Sequence, residues 1–236
     1  AAYYFARYIQ EVLEIPVGII VSTLGGSKVE AWMSREAISP FKSINLSILD
    51  NDEQIKNITA TPCVLYNAKI APFTNFAIKG FLWYQGESNR DNADLYQSLM
   101  PAFVKDLRNK WNRGELPFYF VEIAPFNYEE ADGTSAARMR EVQLQNMKDI
   151  PNSGMVSTLD IGHPVFIHPM DKETVGNRLA LWALAKTYGK KGFGYASPIY
   201  KSMEISDNKI YINVENAQRG LCPMWTSLKG FEIAGE

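Results

Sequence analysis

The chain has 236 residues, 46% hydrophobic and 21% charged, the composition of an ordinary globular protein with room for a sizeable core. Its 24 Lys and Arg against 26 Asp and Glu leave a net charge of −2, which gives no reason to expect nucleic acid or an anionic membrane as partner. No apolar run approaches the roughly 20 residues of a membrane span, so a small, locally recognised ligand suits the chain better.

The opening residues AAYYFARYIQEVLEIPVG (1–18) read as an amphipathic helix that runs directly into a strand, GIIVST (18–23), without the basic start and cleavage site of a signal peptide. A domain seldom begins in mid-element. This start, like the strand-like end SLKGFEIAGE (227–236), points to a piece cut from something longer.

Further strand-like runs, short and rich in β-branched or aromatic residues, are KGFLWYQ (79–85), FYFVEIA (118–124) and MVSTLDI (155–161). Helical patterns lie between them. In ADLYQSLMPAFVKDLRNKW (93–111), Leu95, Leu99, Phe103, Leu107 and Trp111 recur every four residues and stay near one face, with a kink predicted at Pro101. SAARMREVQLQNMKDI (135–150) is a second helix, and DKETVGNRLALWALAKTYG (171–189) a third, opening on the N-cap Asp171 and closing at Gly189. Strands alternating with helices predict a parallel sheet with helices on its faces, because parallel neighbours need a crossover connection. That α/β sandwich takes in residues 1–194. From 195 to 236 short strands with a turn at Asp207-Asn208 predict the start of a β-rich C-terminal domain. Cys63 and Cys222 match no metal or redox spacing and read as two unpaired buried thiols.

In an open α/β sheet ligands bind beyond the carboxyl ends of the strands, so the residues that follow each strand are the candidates. Gly25 and Gly26 present bare backbone N–H groups that suit an anion or a developing oxyanion, or else form a plain strand-to-helix turn. Asn89 offers a second amide donor to the same oxyanion, or is ordinary turn chemistry. His168, one of two histidines, lies between a strand and a helix, where it suits the general base that activates a serine or a structural role. Each signal is weak alone. An amide donor, a glycine turn and a histidine on neighbouring strand ends together have the geometry of acyl transfer.

These motifs, PVGIIVSTLGGSKVEAW (16–32), LYNAKIAPF (65–73), IKGFLWYQGESN (78–89), IHPMDKETVGNRLAL (167–181) and the tail GLCPMWTSLKGFEIAGE (220–236), resemble the sialate O-acetylesterase family of carbohydrate esterases, within the SGNH-hydrolase superfamily. The resemblance implies a flavodoxin-like three-layer α/β/α sandwich, a mainly parallel sheet, and hydrolysis of O-acetyl esters of sialic acid or a related acetylated sugar, with no metal or other cofactor. It assigns an oxyanion N–H to Gly25 or Gly26, the second donor to Asn89 and the base to His168. Gln85, Glu87, Arg140 and Gln143 are then expected around the substrate. Arg140 suits a substrate carboxylate or a helix-surface ion pair, and Glu87 an acid–base role or a carboxylate satisfied within its turn.

Two departures stand out. The family's nucleophilic serine sits in a Gly-Gln-Ser-Asn turn upstream of the opening helix, and no such motif occurs in 1–236. Ser22, Ser27 and Ser88 flank the site but do not match nucleophile positions. The Asp that commonly precedes the histidine by three residues is Val165 here, with Phe166 next, which leaves Asp160 as a nearby carboxylate to orient His168 or to satisfy strand-end N–H groups. An esterase for acetylated xylan or another plant polysaccharide, and a binding module without catalysis, are the alternatives. The family resemblance favours an exported protein, secreted or periplasmic.

Overall fold

The computed structural model describes residues 1–50, 55–128, 133–217 and 220–221. They fall into two units, Ala1–Tyr195 and Ala196–Glu236.

In the first unit, β1 (Phe81–Tyr84), β2 (Phe118–Val121) and β3 (Ser153–Val156) form a parallel sheet in that order, Phe81 facing Phe118 and Phe118 facing Ser153. The crossovers that parallel neighbours require are α4 (Ala93–Trp111) and α5 (Ser135–Asp149), which pack on each other. Strand alternation separates the faces. On one side, Phe81 meets the Trp111 ring edge-on at 5.0 Å and Trp83 lies 4.6 Å from Phe103. On the other, Tyr119 lies 6.1 Å from Trp182 and shares a 2.8 Å hydrogen bond with Thr187. Trp182 ends α6 (Lys172–Trp182), which packs on β2, β3 and α1 (Ala2–Leu13). The result is a three-layer α/β/α sandwich.

The inner face of α4 buries Leu99, Phe103, Leu107 and Trp111, as its four-residue spacing predicts, together with Tyr96, Met100 and Val104. Each such side chain contributes about 1.5–3 kcal/mol of transfer free energy. The helix continues through Pro101 for 19 residues. Two shorter helices, α2 (Arg35–Ile38) and α3 (Val64–Lys69), close the core around Cys63, whose burial pushes its thiol up to about 11. Cys222 lies outside the described residues.

Three segments differ from their sequence patterns, one being 155–161, of which only Met155 and Val156 lie in β3. Residues 18–23, expected as a strand, enter no ladder, and Ile19, Ile20 and Val21 stay exposed. A strand is defined by its hydrogen-bonded neighbour, and the outer edge of β1 has none among the described residues either. The third helix is α6 followed by a π-helical turn, Ala183–Thr187, before the chain turns at Gly189 with φ +67°.

In the second unit, β4 (Ile199–Ser206) and β5 (Lys209–Glu215) form an antiparallel hairpin closed by Asp207-Asn208. Both turn residues have positive φ, 50° and 60°, as a two-residue type I′ connection requires. A register shift between Tyr200 and Ser202 sets Tyr200, Met203 and Ile205 opposite Val214, Ile212 and Ile210, while Ser202, Glu204 and Ser206 face Asn213, Tyr211 and Lys209. One face of the ribbon is therefore apolar and the other polar.

Candidate active site

β1 ends at Tyr84, and the next five residues turn sharply through a 3-10 segment, Glu87–Asn92. Gly86 makes the turn possible: a Cβ there would lie 2.7 Å from Ile123 Cγ2 and 2.9 Å from Gln143 Nε2. The Asn89 N–H closes onto the Gly86 carbonyl at 2.9 Å, which brings the Asn89 side chain back under the strand end, 4% exposed.

There it meets the glycine block. Asn89 Oδ1 accepts from the Val29 N–H at 2.9 Å and from Gln85 Nε2 at 2.7 Å, while Asn89 Nδ2 donates to Glu30 Oε2 at 2.8 Å. Gln85 Nε2 also donates to the Ser27 carbonyl at 2.9 Å. The turn itself is fixed by Ser27, whose hydroxyl donates to the Leu24 carbonyl at 2.8 Å and accepts from Trp32 Nε1 at 2.8 Å. Gly26 takes φ +67°, a left-handed conformation that glycine adopts without strain, and Gly25 and Gly26 are both exposed. A Cβ at either would meet nothing within 4 Å, so their backbone borders open space. The glycine turn and the asparagine, 60 residues apart in sequence at Val29 and Asn89, form one hydrogen-bonded unit.

His168 is exposed, between Ile167, which packs against the core, and Pro169, which is buried. Its loop is tied to the segment after β2 by His163 N–H to the Pro125 carbonyl, 3.2 Å, and Asn127 N–H to the Pro164 carbonyl, 3.0 Å. Three residues later Asp171 caps α6, accepting from the Thr174 N–H at 2.9 Å. The other histidine has a local role, its Nδ1 accepting from the Val165 N–H at 3.2 Å.

Two expected site residues are used otherwise. Asp160 forms a two-pronged pair with Arg178, at 2.7 and 2.5 Å, which holds its carboxyl below the usual range; among the described residues no hydrogen bond joins it to His168. Arg178 also donates to the Ser157 carbonyl at 2.8 Å, so this pair fixes the end of β3. Gln143 does not line a pocket. It is fully buried, accepts from the Ile123 N–H at 2.9 Å and donates to the Gln85 carbonyl at 3.2 Å, because strand ends leaving the ladder need partners for their freed backbone groups.

Glu87 is half-buried near Lys172, whose ammonium stands 4.9 Å over the Tyr84 ring; burial lowers the lysine, and the charge of Glu87 opposes that shift. Arg140, also half-buried, sends its field to Glu122, the first residue beyond β2. Of the flanking serines, Ser22 donates to the Lys69 carbonyl at 2.6 Å and Ser27 is held as described. Glu30, Glu122 and Lys172 were not singled out from the sequence. Only Glu30 carried a readable signal, as the acidic residue of SKVEAW directly after the glycine block.

The chain is similar to known proteins. Residues 1–184 match the family model for carbohydrate esterases described as sialic acid-specific acetylesterases. A human sialate O-acetylesterase is 31% identical over 91% of this chain and 44% of its own length, and the mouse protein 29% identical over 98% of this chain and 50% of its own. The crystal structure of a carbohydrate acetylesterase from Xanthomonas citri superposes with a TM-score of 0.77 at 32% identity, over 90% of this chain and 46% of that one. The chain thus spans about half the length of the relatives it matches.

Proposed function

Because this chain belongs to the sialic acid-specific acetylesterase family of carbohydrate esterases, we propose that the protein it represents hydrolyses O-acetyl esters of sialic acid or a related acetylated sugar by a serine acyl-enzyme route. The observation that carries this reading is the single network joining the exposed Gly25-Gly26 turn to the Asn89 amide.

In this mechanism a serine Oγ attacks the acetyl carbonyl carbon as His168 takes its proton. The carbonyl oxygen becomes an oxyanion between the Gly25 or Gly26 N–H and Asn89 Nδ2. Collapse breaks the bond to the sugar oxygen, which leaves with the proton from His168. Water then repeats the sequence and releases acetate. Asp160 is held by Arg178, so His168 acts either in a Ser–His dyad or with another group to orient it. The family resemblance assigns the serine to a Gly-Gln-Ser-Asn turn, a motif that 1–236 does not contain, and the hydroxyls of Ser22 and Ser27 are directed at backbone carbonyls. An exported location, secreted or periplasmic, goes with this reading and rests on the family resemblance.

The test is acetate release from O-acetylated N-acetylneuraminic acid, acetylxylan and p-nitrophenyl acetate, by residues 1–236 and by the full-length protein. We expect turnover of the sialate by the full-length protein only, abolished by His168→Ala. Preference for acetylxylan would move the substrate class, and turnover by 1–236 alone would place the serine within the chain. Sugar binding without hydrolysis by the full-length protein would make it a binding module.

A further inference from the structure

An asparagine side chain has two ends of nearly equal shape, and only its hydrogen bonds decide which is the donor. At Asn89 that choice is forced. The Val29 N–H and Gln85 Nε2 present donors to one end, at 2.9 and 2.7 Å, and Glu30 Oε2 presents an acceptor to the other at 2.8 Å. Rotating the amide by half a turn would set its NH2 against two donors and its oxygen against a carboxylate, so every contact would become repulsive.

Glu30 is the part of this cage that a folding argument alone does not require. Its backbone belongs to a 3-10 turn, Val29–Trp32, and its carbonyl accepts from the Cys63 N–H at 3.1 Å, a contact any residue would make. The residue as a whole is 9% exposed, and among the described residues it forms no ion pair. Burying a carboxylate without a cation is unfavourable unless its hydrogen bonds compensate, and an apolar side chain would fill the place at lower desolvation cost.

We infer that Glu30 is a positioning residue for the oxyanion-binding amide. It takes one Nδ2 hydrogen of Asn89, and because the nitrogen is planar the second hydrogen then has a fixed direction. A donor already aimed where charge develops stabilises the transition state without reorganising during the reaction. The carboxylate acts only through Asn89. The inference rests on the reading of Asn89 as an oxyanion donor.

The experiment compares Glu30→Leu, Glu30→Gln, Asn89→Ala and His168→Ala in the full-length protein, with kcat and KM for p-nitrophenyl acetate and melting temperature for each. Loss of one oxyanion donor lowers kcat by about 10²–10³-fold. We expect Glu30→Leu to lower kcat by at least about 10-fold with KM within about 2-fold, and Glu30→Gln, whose amide oxygen is still an acceptor, to restore most of that loss. Should Glu30→Leu fail to fold, Glu30→Asp carries the same test, because it keeps the charge but draws the acceptor away from Nδ2: kcat falls if positioning is the role. If Asn89→Ala lowers kcat while the Glu30 variants do not, or if Gln is as impaired as Leu, the inference is wrong and the esterase reading stands. If Asn89→Ala and His168→Ala both leave turnover intact, the esterase reading fails, and this one with it.

Discussion

Glu122, one residue past the end of β2, is 6% exposed, and its Oε2 has no hydrogen-bond partner among the described residues. Burial pushes its carboxyl above the usual glutamate range, and a hydrogen bond with Ser157 and the charge of Arg140 offset only part of that. The folded protein therefore binds this proton more tightly than the unfolded chain does. Its contribution is neutral below the ordinary glutamate value and turns unfavourable as pH rises through the folded value. Urea unfolding between pH 4 and 8 should show a loss of the order of 1 kcal/mol, and Glu122→Gln should flatten that slope. An unchanged slope would mean that the carboxylate is well solvated. At this scale the sequence located the candidate positions better than their neighbours. Gly25, Gly26, Asn89 and His168 are legible as candidates because strand ends and turn residues announce themselves in order. The partners of Asp160 and Gln143 were not, since Arg178 and the Ile123 N–H reach them only after folding.

The apolar runs read as strands at 79–85 and 118–124 contain the four-residue strands that form, whereas the run at 155–161 shares only Met155 and Val156 with β3, which begins at Ser153. Beyond the strand ends, Gln85 Nε2 donates to the Ser27 carbonyl and the Thr158 hydroxyl to the Glu122 carbonyl, while the Glu122 N–H continues the ladder to the Val156 carbonyl. Sheet and helix approach closely at Gly154 in β3, where a Cβ would lie 2.4 Å from the Trp182 ring. That indole is itself fixed by a 3.0 Å bond from its N–H to the Met155 carbonyl. Gly154→Ala should destabilise the fold by about 1–3 kcal/mol, read as a lower urea midpoint with the m-value unchanged. A midpoint equal to that of the parent would show that α6 can slide away from the sheet. The register of the β4–β5 ribbon was equally hidden in sequence. Its turn was visible in Asp207-Asn208, but the shift at Tyr200/Ser202 that gathers six apolar residues on one face depends on strand pairing.

For the molecule as a whole, the outer edge of β1, unpaired among the described residues, and several exposed aliphatic residues bear on the behaviour of the isolated chain. Leu82 is 38% exposed, Ile19 44% and Val21 64%, and unpaired strand edges and exposed aliphatics are both templates for association. Sedimentation velocity on 1–236 should show self-association that grows with concentration across the micromolar range and weakens in Val21→Lys. A monomer at all concentrations would mean that the edge is protected. No helix among the described residues is long and apolar enough to cross a membrane. The sequence by itself determined the alternation of strands and helices, the layered α/β class, the family and the strand-end residues, because periodicity, caps and local motifs are written in neighbouring residues. Only the tertiary structure decided that 18–23 forms no strand, that Asp160 serves Arg178, and that Glu30 and Asn89 share one hydrogen bond. Pairing, burial and the direction of an amide depend on groups far away in the chain, which meet only when the core closes.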